Sequence, residues 1–146
     1  MFPIGHPFAN KNTRLFLCGK VAKRLLAEAQ EAFPCEYSAL LAGRGNTITQ
    51  HVPLRAHSST PRRFQWDGAS LIEALRSIER NGLEWLGVLH THPHTPPLPS
   101  PADVREWHYP QLSYWVLSLS GPPDLRVYQW QEEGFRERCW TRITRD

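Results

Sequence analysis

Apolar residues recur at helical spacing in two segments of the chain, and this pattern predicts two amphipathic helices. Between residues 20 and 33 the apolar positions repeat every three or four residues, opposite lysines, arginines and glutamates. Pro34 ends this segment, because proline lacks the backbone N–H that a helix needs. The same spacing begins again after Asp67, a predicted N-cap, and ends at the Asn-Gly pair of residues 81–82.

Short apolar or alternating stretches lie between and after these helices, and they predict six or seven β-strands. Their predicted bounds are 15–18, 38–42, 47–54, 84–90, 113–120, 125–130 and 135–143. We expect a loop over residues 57–63 and hairpins at the turns 43–46 and 131–134, where glycine is present. A short third helix is predicted from Ser100 to about Trp107. The order indicates an α/β fold, a single mixed-sheet domain flanked by helices, with residues 1–146 as one domain and a core at about 14–143.

The composition is that of a folded domain with a mildly basic surface. The chain has 146 residues, of which 40% are hydrophobic, including six tryptophans, so we expect a packed core and not disorder. Its net charge is +3, but the basic residues are scattered, with Arg62 and Arg63 as the nearest thing to a patch. Such a surface favours an acidic protein partner. No RNP-like, zinc-finger or helix-turn-helix signature occurs, so a nucleic-acid partner is not expected.

The cysteines and the hydropathy of the chain indicate the cellular compartment in which we expect the protein. The three cysteines (Cys18, Cys35 and Cys139) are odd in number and form no Cys-x-x-Cys pair. This usage fits a reducing compartment and argues against a disulfide scaffold or a thiolate zinc site. The first ten residues lack the charged and apolar regions of a signal peptide, and no stretch approaches the ~20 apolar residues of a membrane helix. We therefore expect a cytoplasmic protein with no membrane partner.

A group of metal-ligating side chains follows the predicted strand 84–90. His90 and His92 stand two residues apart at its end, and side chains two apart on a strand share a face. Asp103 returns after a short loop, which gives three N/O ligands with a fourth position left for water. This pattern is typical of a catalytic zinc site. Ser100, Pro101 and Asp103 also form a helix start, with Ser100 as the N-cap, and this local role is compatible with a role in the site.

The loop between the second histidine and Ser100 is rich in proline, at positions 93, 96, 97 and 99. Because both of its ends carry predicted ligands, we interpret it as a stiffened connection that holds Asp103 near the histidines. His94 leaves an alternative open, since His90, His92 and His94 together could form a three-histidine site on an uninterrupted strand. Pro93 should break that register and turn His94 toward solvent or the substrate rim. The other histidines have no ligand spacing (His6, His51, His57 and His108).

The combination His-x-His, seven residues, Ser-x-x-Asp resembles the JAMM motif of the MPN-domain metalloproteases. A Pro34-x-Glu36 segment ahead of an apolar strand and Gly43 matches the family's upstream glutamate, and the similarity extends from Leu15 to Tyr128. The sequence departs from the family pattern at three places. Thr91 stands where many members have Ser, and residues 54–57 stand where many carry an Asn. Cys35 and Ser38–Ala39 lie in a stretch that is often Cys-Gly.

The resemblance implies an MPN/JAMM-like fold with a cytidine-deaminase-like architecture, and a zinc-dependent hydrolase. It implies that His90, His92 and Asp103 hold one Zn²⁺ per chain. Glu36 would be the general base and then the general acid, and Ser100 would donate a hydrogen bond to the tetrahedral oxyanion. The implied substrate is a peptide or isopeptide bond after the C-terminal Gly-Gly of a ubiquitin-like or sulfur-carrier protein. In its compactness the chain resembles the stand-alone prokaryotic members of the family.

Two other functions remain open from the sequence. A non-catalytic MPN domain would serve as an assembly module, but such domains typically lose metal ligands, and all of the ligand positions are filled here. A DNA-linked member of the same fold is suggested only by the sequence pI near 9.0. Taken alone, Glu36 would be an ordinary surface carboxylate at the entry to a strand. The sequence specifies neither the carrier protein nor the oligomeric state.

Overall fold

A computed structural model describes residues 2–9, 13–55 and 66–144. The predicted loop 57–63 and part of the departure at 54–57 lie outside these residues. In chain order, the described elements are β1 (Leu15–Cys18), α1 (Gly19–Ala32), β2 (Ser38–Arg44), β3 (Thr47–Leu54), α2 (Gly68–Arg80), β4 (Glu84–His92), α3 (Pro101–Glu106), β5 (Ser113–Ser118), β6 (Asp124–Gln131), β7 (Gly134–Arg138) and β8 (Trp140–Ile143). None of these helices is long and apolar enough to cross a membrane.

The strands form one curled, mixed sheet with the order β7-β6-β5-β4-β2-β3-β1-β8. β1 is parallel to β3 and β8, and β4 is parallel to β5, whereas the other neighbours are antiparallel. Only Cys139 separates β7 from β8, although these strands stand at opposite ends of the order. The sheet must therefore curl until its two edges approach each other at Cys139.

Each face of the sheet buries its own apolar cluster. The inner face packs against α1, and here the Trp115 and Trp140 rings from distant strands lie 5.5 Å apart. The outer face packs against α2, which contributes Ala74 and Ile78 to a cluster with Val88 of β4. Because successive strand side chains point to opposite faces, the outer-face positions of β4 after Val88 are His90 and His92. The predicted mixed α/β fold is confirmed.

Most predicted elements agree with the structure to within one or two residues at each end, including α1 and α2, and Asp67 occupies the N-cap position of α2. The prediction of one strand over residues 135–143 is wrong. The chain leaves the sheet at Cys139, so that β7 pairs with β6 whereas β8 runs parallel to β1 at the other edge. The pairing depends on the curl of the whole sheet, which the local pattern of apolar residues does not encode.

Gly87 allows β4 to lie close to β5 just before the histidines. A Cβ atom at this position would lie 2.8 Å from the backbone oxygen of Ser113, well inside van der Waals contact. The Ser113 hydroxyl donates a hydrogen bond to the Leu86 carbonyl at 2.8 Å, which also joins the two strands. The register that follows pairs His90 with Val116 and His92 with Ser118.

Candidate metal centre

Three side chains that could hold a metal ion meet at the outer face of the sheet. His90 and His92 extend from the end of β4, and Asp103 lies in the first turn of α3. The two Nε2 atoms are 3.1 Å apart, His92 Nε2 is 3.2 Å from Asp103 Oδ2, and His90 Nε2 is 3.6 Å from Asp103 Oδ1. The structure thus brings together the three residues predicted as metal ligands.

These separations fit a small tetrahedral ion. Ligand atoms bound to such an ion at ~2.0–2.1 Å stand roughly 3.3–3.4 Å apart, and the three measured distances lie on either side of that value. Two imidazole nitrogens and a carboxylate oxygen are also a donor set that zinc accepts. The residues present therefore fit the metal that the sequence predicts.

The cluster is almost fully buried, and its acid is held in the ionised form. Asp103 is 0% exposed, and His90 and His92 are 2% and 1% exposed. Burial alone would raise the pKa of Asp103, but the hydrogen bond with His92, the charge of His90 and the Ser100 backbone N–H outweigh it. The pKa of Asp103 consequently lies well below its usual range, which leaves a carboxylate ready to bind a cation.

The tautomer of His92 is set by the proline-rich loop. His92 Nδ1 lies 2.9 Å from the Pro96 carbonyl oxygen, which can only accept, so Nδ1 carries a proton, and in the neutral ring the lone pair of Nε2 is then available to a metal ion. Neighbouring carbonyls are fixed in a similar way, because the Ser118 hydroxyl donates to Thr95 and the Tyr128 hydroxyl donates to Pro97. The loop is anchored along its length, as predicted for a stiffened connection.

Ser100 and Asp103 form a capping box at the start of α3. The Asp103 backbone N–H donates to Ser100 Oγ at 3.1 Å, and the Ser100 backbone N–H donates to Asp103 Oδ2 at 2.8 Å. The same Oδ2 atom approaches His92 Nε2, so one carboxylate both caps the helix and faces the metal position. The predicted capping role of Ser100 is confirmed, and its side chain lies beside the cluster.

Glu36 is exposed, at the segment that leads into β2. The next residue, Tyr37, donates its backbone N–H to Thr91 Oγ1 at 2.8 Å, and its carbonyl accepts the Thr91 N–H at 3.0 Å. Ser38 pairs with His90 in the antiparallel register of β2 and β4. Continued by two residues, that register sets Glu36 opposite His92, and residues opposite each other share a face of the sheet.

Two residues near the cluster were given no role from the sequence. Thr91 holds the Glu36 segment through its hydroxyl, which explains why a Ser or Thr between the histidines is useful. Tyr114 of β5 is fully buried, and its hydroxyl lies 2.9 Å from His90 Nε2. Alternation along β5 sets Tyr114 on the same face as His90, but only the parallel register of β4 and β5 brings them into contact.

His94 does not join the cluster. β4 ends at His92, and His94 is exposed, with its ring edge-on to Phe33 at a centroid distance of 5.3 Å. The expectation that Pro93 turns His94 away from the two other histidines is confirmed. His51 lies on the inner face, where its Nε2 is 3.1 Å from a Glu28 oxygen. His57 lies outside the described residues.

Comparisons with known sequences identify the family of the chain and several relatives. The family described as prokaryotic homologs of the JAB domain (Prok-JAB) matches residues 19–132. The "Probable TtuB-protein conjugate cleaving protease" of Thermus thermophilus is 38% identical over 93 residues, which is 62% of this chain and 60% of that protein. The "Desampylase" of Haloferax volcanii is 28% identical over 133 residues, or 86% of this chain and 94% of that protein.

Solved structures share the fold of this chain. A protein from Desulfitobacterium hafniense superimposes with a TM-score of 0.80 at 31% identity, covering 90% of this chain and 94% of that one. A JAB1/MPN-domain protein from Archaeoglobus fulgidus shares the fold, with a TM-score of 0.58 at 19% identity over 86% of this chain and 98% of that one. The family match runs from α1 to β6 and includes both β4 and α3, which carry the cluster, and the chain therefore belongs to the prokaryotic JAB-domain family.

Proposed function

We propose that this protein is a zinc-dependent peptidase or isopeptidase that removes proteins or peptides from the C-terminus of a ubiquitin-like protein. The observation that carries the proposal is the buried group of His90, His92 and Asp103, with ligand atoms within 4.8 Å of one another. A domain that serves only in assembly has no need of an ionised carboxylate buried against two imidazoles, because burying such groups costs free energy.

Zinc is the proposed ion because of the donor set and its spacing. Two nitrogens and one oxygen at tetrahedral separations suit zinc, whereas Mg²⁺ and Ca²⁺ prefer six or more oxygen ligands. When bound, zinc supplies Lewis acidity and makes hydroxide available at neutral pH. His90, His92 and Asp103 would hold it, and the Pro96 carbonyl would keep the His92 ring in orientation.

Glu36 is the proposed proton carrier. Its place opposite His92, inferred from the β2–β4 register, would allow it to take a proton from the attacking water. It would then deliver that proton to the departing amine, so that the amine leaves in neutral form. The two hydrogen bonds between Tyr37 and Thr91 hold the backbone next to Glu36 against β4.

Ser100 is proposed to stabilise the oxyanion of the tetrahedral intermediate. Its Oγ atom accepts the Asp103 N–H, and the hydroxyl proton can be directed at a substrate oxygen. The capping box fixes the position of this side chain relative to Asp103 before substrate arrives. A role as nucleophile has no support, since the cluster histidines face one another and the carboxylate.

The names of the relatives support the substrate class. One is described as cleaving conjugates of the protein TtuB, and two are named desampylases. We infer that the substrate here is likewise a conjugate of a small ubiquitin-like or sulfur-carrier protein. The setting proposed is the cytoplasm, since the three cysteines, all among the described residues, form no disulfide and two of them are exposed.

We further propose that cleavage follows a C-terminal Gly-Gly bound in an extended form. A carrier ending in Gly-Gly-X should be cut, whereas one ending in Gly-Ala-X should be cut about a hundredfold more slowly. The added methyl group would collide with the walls of a narrow passage and disturb the hydrogen bonds of the extended tail, at a cost of ~2–3 kcal/mol in the transition state. The measurement is kcat/KM for the two carriers, which differ in that one residue.

Equal kcat/KM values for the two carriers would contradict the Gly-Gly requirement. Efficient digestion of an unfolded protein such as casein would contradict it too, because it would indicate a general peptidase. If the metal-loaded protein cleaved neither carrier, that result would contradict the proposed substrate class.

A further inference from the structure

One stretch of β3 has an open edge on the side away from the metal cluster. β1 pairs with β3 through only two residue pairs, Phe16 with Thr47 and Leu17 with Ile48. β1 then ends at Cys18, and the chain turns directly into α1, whereas β3 continues to Leu54. Among residues 2–9, 13–55 and 66–144, no strand pairs with β3 beyond Ile48 on this side.

A cavity of about 400 Å³ occupies the position that β1 has left. Three consecutive β3 residues line it, namely Thr49, Gln50 and His51. Since side chains alternate along a strand, a cavity that touches three in a row meets the edge of the strand and not one of its faces. We refer to this cavity, lined by Cys18, Lys20, Val21, Arg24 and residues 49–51, as the β3 notch.

The side chains of β3 leave this edge in opposite directions. Gln50 accepts a hydrogen bond from the Asn81 amide at the end of α2, on the outer face. His51 contacts the Glu28 carboxylate of α1 at 3.1 Å, on the inner face. Both side chains are therefore engaged on the two faces of the sheet, and the backbone edge of β3 between them is the surface with which an added strand would pair.

The opposite wall of the β3 notch is cationic. Lys20 and Arg24 stand one turn apart on α1, and both are exposed. Within the described part of the chain, no carboxylate lies at ion-pair distance from either of them. A ligand at this edge would meet a strand backbone on one side and two positive charges on the other.

We propose that the β3 notch binds an extended, acidic segment of a protein partner, which adds to the sheet as a strand beside β3. Backbone groups of β3 supply the hydrogen bonds, and the two cations select acidic side chains. A strand added at this edge would lie three strand spacings from β4, or roughly 14 Å at ~4.8 Å each, because β2 and β3 lie between them. The segment bound here is therefore not the one cleaved at the cluster. The proposal does not depend on the chemistry assigned to the metal centre.

The test is a titration of fluorescein-labelled peptide Val-Glu-Val-Glu-Val, followed by fluorescence anisotropy. The alternation directs both glutamates to one face of the added strand. We expect saturable binding in the range of ~0.1–1 mM that is unaffected by a metal chelator. Lys20→Glu and Arg24→Glu should each weaken binding, and together by about tenfold or more, whereas Lys23→Glu, which makes the same charge change as either single substitution on an exposed α1 residue outside the notch, should not.

Two control peptides separate strand addition from simple charge attraction. A peptide with lysine in place of glutamate should not bind, and one with N-methyl groups on alternate amides should bind weakly although its charge is unchanged. Absence of saturable binding, equal weakening by Lys23→Glu, or normal binding of the N-methylated peptide would overturn the proposal. Concentration-dependent dimerisation that slows amide exchange at residues 49–51 would overturn it too, since the edge would then bind a second copy.

Discussion

Replacing Glu36 with Gln should reduce turnover by about 10²–10⁴-fold while the metal stays bound. Gln keeps the size and hydrogen-bonding capacity of the side chain but cannot take a proton from water at neutral pH. Glu36 is absent from the group of side chains whose ligand atoms converge, so the change leaves His90, His92 and Asp103 intact. The measurement combines kcat on a Gly-Gly conjugate with the metal content of the purified variant.

The matched control for this substitution is Glu31→Gln. Glu31 is an exposed carboxylate on α1, only five positions earlier in the chain, and has no place in the proposed chemistry. It should retain normal turnover and normal metal content. Loss of metal from Glu36→Gln would indicate that Glu36 is a ligand, and near-normal cleavage by that variant would indicate that it is a bystander.

Replacing His92 with Ala should reduce the metal content from about one ion per chain to near zero. His92 is placed by its Nδ1 hydrogen bond to the Pro96 carbonyl so that Nε2 faces both His90 and Asp103. Removing one of three protein ligands leaves too few to hold the ion. Elemental analysis of the purified protein measures the effect, and circular dichroism shows whether the variant has kept its fold.

His94→Ala is the matched control, because it removes an imidazole only two residues away. His94 is exposed and lies beyond the end of β4, so its variant should keep the metal. Loss of metal from His94→Ala, in addition to its loss from His92→Ala, would instead support the three-histidine alternative and contradict the assignment of Asp103.

The residues of the metal cluster could be predicted from the sequence because their geometry is local. The two histidines share a face by the alternation of a single strand, and Asp103 is fixed by a capping box only four residues long. Helices α1 and α2 were predictable for a similar reason, since a stripe of apolar residues at a period of 3.6 is a property of each segment alone.

Other features depend on contacts between distant parts of the chain. The separation of β7 from β8 at Cys139 follows from the curl of an eight-stranded sheet, and the parallel pairing of β8 with β1 joins residues over 120 positions apart. The contact of Tyr114 with His90 needs the β4–β5 register, and the open edge of β3 exists only because β1 turns early into α1. No window of sequence contains such information.

The most direct test of the proposed activity is cleavage of a Gly-Gly conjugate by the chelator-treated protein, with and without added zinc. The proposal predicts that chelation abolishes cleavage and that about one equivalent of zinc per chain restores it, because three protein ligands hold a single ion. Full cleavage by protein from which all metal has been removed would contradict the account, and so would failure of the zinc-loaded protein to cleave.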